Sequence, residues 1–263
     1  MLEMLEACEQ AVRLGGAVLL KMQKSIHARE KAPRDLVTEA DLASQNAIQA
    51  CLATAYPDFQ FLGEESTGEE NTANSSDYCW VVDPLDGTTN YVHGLDNYCV
   101  SIALVRKNET ILGAIYDPVR QDLYTAIQGQ GAFRNGIRLQ TSRITELNSA
   151  LIAASFSANV ADDSAEIKRF IAALAHCQAL RRLGSAALNL CYVAAGSLDG
   201  YWATSVKKWD VAAGLLMIEE AQGFTTSING QPFDLEEPKF ITTSTPELHA
   251  SLFQVLERAV NSD

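Results

Sequence analysis

Along the first 28 residues the apolar positions fall at alternating steps of three and four: Leu5, Cys8, Val12, Gly15, Leu19, Met22 and Ile26. That spacing is one face of an α-helix and predicts a helix from residue 2 to about residue 28, its stripe facing the core and, in part, open to a subunit contact. Thr38 followed by Asp41 has the form of a capping signal, so a second helix is expected to follow and run to about Ala55. The period then shortens. Phe59–Gly63, Tyr78–Val82, Tyr98–Val105, Ile111–Tyr116 and Leu123–Ala126 are short apolar runs separated by turn residues such as Lys107-Asn108 and Asp117-Pro118, and they read as strands. Asn135-Gly136 suits the mirror-image turn of a tight hairpin. Between these runs, Ser66–Asp77 is rich in Ser, Asn, Gly and Glu and reads as an exposed loop.

Around Thr141–Ser149 the character changes to an alternation. Strands are expected near 150–155, 200–202, 223–226 and 240–243. Helices are expected near 161–177, 185–195 and 210–222, with a last one from Pro246 to about Val260, where proline suits the first turn. Two long helices beside antiparallel strands, then alternating strands and helices, predict a layered α/β chain with sheet in both halves. A division into an N-terminal half at 1–140, carrying most of the candidate chemistry, and a C-terminal half at 141–263 follows from the same change of pattern.

Composition narrows the classes. Hydrophobic residues at 47% and charged residues at 20% are ordinary for a water-soluble domain. A formal charge of −13 argues against a nucleic-acid-binding surface, which needs a basic stripe. No apolar run approaches the length of a membrane span, and the N-terminus is too acidic for a secretory signal. Six scattered cysteines without a Cys-x-x-Cys pair then point to reduced thiols and a cytoplasmic location. The four histidines lack zinc spacing and read as structural or surface groups.

The candidate chemistry centres on Trp80-Val81-Val82-Asp83-Pro84-Leu85-Asp86-Gly87-Thr88-Thr89-Asn90. A short buried strand is expected to stop at the proline and bend sharply, so that Asp83 and Asp86 point to one side. Gly87 then permits close backbone approach, and Thr88-Thr89 would present N–H groups at the start of a short helix. Asp-Pro-x-Asp-Gly also describes an ordinary surface turn. Glu64 and Glu65, at the end of an earlier apolar run, and Asp210, at a helix start, are the partners that lift it above that reading. Asp210 is equally an N-cap, and Asp41 equally a first-turn carboxylate complementing the helix dipole.

Gly-Glu-Glu-Ser at 63–66, Asp-Pro-Leu-Asp-Gly-Thr-Thr-Asn at 83–90 and Trp-Asp-Val-Ala at 209–212 resemble the three signatures of the inositol monophosphatase family, in its order and spacings. The likeness extends to Asp35-Leu36-Val37-Thr38 with Asp41 and to Gly184–Asn189, and so spans nearly the whole chain. The resemblance implies a five-layer αβαβα sandwich, usually a homodimer, that hydrolyses small phosphate monoesters with two or three Mg²⁺ ions and is inhibited by lithium. It assigns Glu64, Asp83, the Leu85 carbonyl, Asp86 and Asp210 as metal ligands. Glu64 and Thr88 would activate water, with Thr88 oriented by Asp41, and the Gly87 and Thr88 amides would hold the phosphate. Asp86 and Asp210 would also meet the substrate, with Gly184, Ser185 and Ala186 facing its sugar. Lys31 and Asp35 would lie near the metals on a loop, and Glu65 reads as a surface or supporting carboxylate.

One departure bears on substrate. Inositol-handling members usually carry a glutamate seven residues before the late aspartate, and this chain has Ala203. Alanine cannot accept a hydroxyl hydrogen bond. That leaves inositol phosphate or a related polyol phosphate beside a 3′(2′),5′-bisphosphate nucleotide, fructose 1,6-bisphosphate and histidinol phosphate. Lys207 and Lys208 are either solvated or placed for a second anionic group. A protein-binding regulator with incidental hydrolysis is the alternative of another class.

Overall fold

The computed structural model describes residues 1–23, 28–32, 35–66, 76–157 and 159–261, without the side chains of 28, 30–32 and 35. The expected helices form at α1 (Leu2–Met22) and α2 (Glu39–Ala55). α1 stops short of the expected residue 28: Ala28–Ala32 (β1) and Asp35–Thr38 (β2) pair as an antiparallel hairpin. Lys31 and Asp35 therefore stand on strands and not on an irregular loop, and their side chains lie outside the described residues. Cys8, Val12, Gly15 and Leu19 are buried as the helical stripe requires. Ile26 falls outside the described residues.

Seven strands make the first sheet, in the order β3 (Gln60–Gly63), β4 (Tyr78–Asp86), β5 (Cys99–Arg106), β6 (Glu109–Asp117), β7 (Asp122–Ile127), β8 (Gly131–Arg134) and β9 (Ile137–Arg138). The β8–β9 turn holds Asn135 and Gly136 at positive φ, 49° and 79°, as the Asn-Gly signal demands. A one-turn helix, α3 (Thr88–Val92), follows β4. The second sheet runs β11 (Ala179–Arg181), β10 (Leu151–Ser155), β12 (Gly200–Ala203), β14 (Phe240–Thr243) and β13 (Phe224–Ser227). β11, three residues between two helices, carries too little apolar pattern to be read in advance. The remaining helices are α4 (Ala165–His176), α5 (Ala186–Ala194), α6 (Lys208–Glu220) and α7 (Pro246–Asn261).

The elements stack in five layers. α1 and α2 cover one face of the first sheet, α5 and α6 fill the space between the sheets, and α4 and α7 cover the outer face of the second. Strand periodicity sorts the side chains. Val100, Ile102 and Leu104 face α1 and α2, whereas Cys99, Ala103 and Val105 face the central helices. In the second sheet Tyr201, Ala203 and Phe240 face inward, and Trp202 and Ile241 face α4 and α7. Because both faces of each sheet are buried, the strands read as continuous apolar runs without polar alternation. Among the described residues no helix is long and apolar enough to cross a membrane.

The central helices sit close to the first sheet because the facing residue is glycine. A Cβ on Gly113 of β6 would stand 2.8 Å from the Ala213 Cα of α6, a backbone atom with nowhere to move. Gly113→Val is expected to push α6 off the sheet and cost about 1–3 kcal/mol. A urea titration would show this as a lowered midpoint at unchanged slope, and an unchanged midpoint would mean the contact is loose.

Candidate active site

The strand carrying Asp83 and Asp86 does not end at the proline. β4 continues to Asp86, with Asp83 paired opposite Ser101 and Asp86 opposite Cys99 on β5. Three steps on one strand thus answer two on the other. The extra residue is a β-bulge at Pro84–Leu85, where proline's missing N–H costs no ladder bond. Three residues apart on a regular strand, two side chains point to opposite faces; the bulge turns both carboxylates to the side of the central helices. Leu85 goes the other way, into the core beneath α1 and α2. Both aspartates face one side, as expected, but the device is a bulge and not a terminal bend.

Three of the carboxylates, Asp41, Asp86 and Asp210, meet the start of a helix. Asp86 Oδ1 accepts from the Ala186 N–H (3.1 Å) and Oδ2 from the Ala187 N–H (2.7 Å), with the Ser185 hydroxyl donating to Oδ2 as well. Asp210 lies in the first turn of α6 and accepts from the Lys207 N–H at 2.8 Å. Asp41, in the first turn of α2, accepts from the Thr38 N–H (2.9 Å) and Oγ1 (2.6 Å) and closes the expected capping box. The N-terminal ends of these helices carry partial positive charge that favours the acids placed there. Asp83 Oδ1 is held by the Leu85 N–H at 3.0 Å. Glu64 follows β3, its N–H donating to the Val82 carbonyl of β4 at 3.0 Å.

Thr88 joins the groups. Its hydroxyl stands 3.2 Å from Asp41 Oδ1 and 3.1 Å from the Leu85 carbonyl, so one proton has two acceptors. Gly87, with φ +96°, begins α3, and a Cβ there would stand 3.0 Å from the Asn97 carbonyl. Gly184, at φ +85°, packs on the Asn90 amide, which donates to the Leu183 and Asn97 carbonyls at 2.8 Å. Gly184, Ser185 and Ala186 are thus brought to the cluster, with Ser185 and Ala186 turned onto Asp86. Sequence reasoning missed three supports. Asn90 ties the chain ahead of α5 to the chain ahead of β5, the Ala187 N–H holds Asp86, and the Ser44 hydroxyl donates to the Pro84 carbonyl at 2.9 Å. Only Asn90 and Ala187 had a signal, as members of the quoted motifs.

Burial pushes the Asp83 carboxyl well above its ordinary 3.8, and the charges of Glu64, Asp86 and Asp210 push it further. Asp210 is raised in the same way, by desolvation and then Asp86. Desolvation also raises Asp86, against the hydrogen bonds from Ser185, Ala187 and Ala186 that favour its charged form. Asp41 is raised by burial and opposed by its threonine donors. Among the described residues no three acidic, Cys or His side chains converge in ligating geometry. The donor set nevertheless suits a hard cation: it is all oxygen, negatively charged, and mutually repulsive until a positive charge is placed among it.

The inositol monophosphatase family model matches residues 1–261. The chain belongs to the inositol monophosphatase family. Among its relatives, an inositol-1-monophosphatase of Rhizobium meliloti is 37% identical over 236 residues, covering 88% of this chain and 86% of that protein. A protein named Nus factor SuhB, from Pseudomonas aeruginosa, is 37% identical over 248 residues, 92% of each. Among solved structures, an IMPase/NADP phosphatase complexed with Mg²⁺ and phosphate superposes with a TM-score of 0.81 at 28% identity, over 94% of this chain and 91% of that one. The five layers are the inositol monophosphatase fold.

The raised carboxyls have a sign that can be measured. Their folded-state values stand above the unfolded ones, so the contribution of the protonated forms to stability is complete below about pH 4 and is lost as pH rises through the raised values. In EDTA, the urea midpoint should fall as pH climbs above that window, and the fall should be shallower for Asp83→Asn. Equal pH slopes for the two proteins would show that Asp83 carries no burden of burial and repulsion.

Proposed function

We propose that this family member is a Mg²⁺-dependent phosphomonoester hydrolase acting on an inositol phosphate or a related small polyol phosphate through activated water. The observation that carries the reading is that Glu64, Asp86 and Asp210 stand close enough to the buried Asp83 for their charges to raise its proton affinity. Glu64, Asp83, Asp86, Asp210 and the Leu85 carbonyl would hold two or three Mg²⁺ ions. Bound, the ions supply the charge that makes water nucleophilic near neutral pH and neutralise phosphate and leaving oxygen. Phosphoryl transfer asks little covalent chemistry of a protein, so the rest is positioning.

The chain's own groups divide that work. Thr88, its hydroxyl donating to Asp41 or Leu85, accepts a hydrogen bond from the attacking water and orients it, and Glu64 takes the proton the water releases. The Gly87 and Thr88 N–H groups face the phosphate. Ser185 and the first amides of α5 fix Asp86 and favour its charged form, against the burial that raises its carboxyl. The reading extends to lithium inhibition and to a cytoplasmic homodimer, and to the halves at 1–140 and 141–263 supplying the acids together.

Ala203 bears on the choice of substrate. It is fully buried at the end of β12, opposite Ser155 and Phe240, and offers a methyl where an inositol-handling relative would offer a carboxylate. A bisphosphate nucleotide, fructose 1,6-bisphosphate and histidinol phosphate are therefore the rival substrates. The second reading, a protein-binding regulator in which hydrolysis is incidental, is favoured by relatives named Nus factor SuhB.

Phosphate release from inositol 1-phosphate, the three rivals and an aryl phosphate, each with Mg²⁺ or EDTA, separates these readings. One substrate well ahead, and only with Mg²⁺, is the expected result; uniformly negligible release would sink the hydrolase reading. Asp86→Asn should lower kcat/KM by on the order of 100-fold, since its amide would lose a ligand charge and set an N–H₂ group against the α5 amides. Thr88→Ser should retain turnover that Thr88→Val loses, because only the hydroxyl is at work.

A further inference from the structure

Between α5 and β12 the protein buries polar groups that it does not itself satisfy. Asn189 and Tyr201 are both 0% exposed. Neither end of the Asn189 amide, Nδ2 or Oδ1, has a hydrogen-bond partner among the described residues, and the Tyr201 hydroxyl has none either. Tyr201 faces the central helices from β12, its ring edge-on against Phe240 with centroids 5.4 Å apart. Asn189 stands one turn along α5 from Ser185, to whose carbonyl its backbone N–H donates at 3.2 Å. The two side chains approach each other. Burial pushes the Tyr201 phenol up and the charges of Asp86 and Asp210 push it further, against the Ser155 hydroxyl and the Asn189 amide beside its oxygen. Neither neighbour completes a hydrogen bond to it.

We propose that Tyr201 and Asn189 form a binding site for internal water, one molecule bridging the phenol and the amide. A buried amide or hydroxyl without a partner is costly, and native interiors leave few of them. A direct bond from the Tyr201 hydroxyl would meet one end of the Asn189 amide and leave the other bare. Water both donates and accepts, which is the mixture these atoms require, and buried waters typically make about three such bonds. An anion would meet the field of Asp86 and Asp210, which already reaches Tyr201. A cation would be set against the Asn189 N–H₂ group with only neutral oxygens to hold it, and an apolar occupant would leave every polar atom unpaired.

The bridge has a use at that place. Ser185, Ala186 and Ala187, in the turn of α5 just before Asn189, supply the donors to Asp86. Elsewhere α5 lies in an apolar core with the inner face of the second sheet, and apolar contact has no preferred direction. A hydrogen-bonded water between Asn189 and Tyr201 would fix where the first turns of α5 stand on β12, and with them those donors. The inference does not depend on hydrolysis.

A crystal structure of the full chain that resolves ordered solvent tests this directly. It should show a water about 2.7–3.2 Å from Tyr201 Oη and from one end of the Asn189 amide. Finding no solvent there, or finding both side chains satisfied by protein groups alone, overturns the proposal. Tyr201→Phe, Asn189→Leu and the double variant supply a second measurement, by urea titration. Each single substitution strands the other polar group and should lower the midpoint at unchanged slope. The double variant should fall by clearly less than the two single shifts together, because it leaves neither group to be satisfied. Additive shifts would mean that the phenol and the amide share no bridge, and would equally overturn it.

Discussion

A strand alternates its side chains, and this protein's site depends on breaking that rule once. The extra residue at Pro84–Leu85 puts Asp83 and Asp86 on the same face of β4 while Leu85 stays in the opposite core. With regular pairing one of the two acids would point under α1 and α2, into a layer of Val100, Ile102 and Leu104, where an ionised carboxylate could not stay charged. The bulge therefore decides that the acids are gathered at all. It is stabilised from both directions, by the Ser44 hydroxyl on the Pro84 carbonyl and by the Leu85 N–H on Asp83.

Gathering buried like charges is unfavourable, and the layered architecture offsets it with helix ends. α2, α5 and α6 each begin beside one acid, Asp41, Asp86 and Asp210, and each supplies backbone or hydroxyl donors to it. α3 begins at Gly87, directly after Asp86. These helices come from three different layers or connections, yet their positive ends meet at one edge of the first sheet. A cation held among the acids would add to the compensation that the dipoles begin.

Ala203 stands apart from the bulge but not from these helices: it is fully buried on the inner face of the second sheet, in the core it shares with Ala186 and Ala187 of α5 and Val211 of α6. The relatives carry names of two kinds, a monophosphatase and a Nus factor, on one architecture.

The sequence by itself determined the element types, most of their limits and the identity of the acids. Those depend on local signals: the three-and-four stripe of α1, the Thr38–Asp41 cap, the Asn135-Gly136 turn and the three ordered motifs. It could not show where α1 yields to the β1–β2 hairpin, whose strands are too short and polar to carry a pattern, or that β11 exists, because β11 draws its hydrogen bonds from β10, on the far side of α4. Nor could it show which face each strand of a sheet buried on both sides presents, since apolar runs without alternation carry no facing information. Only the tertiary structure decided that Asp83 and Asp86 share a face, and that Ser185 and the Ala186 and Ala187 amides, about 100 residues on, are the donors that hold Asp86. A bulge is defined by the partner strand's count, and a helix end becomes a partner only after the layers pack.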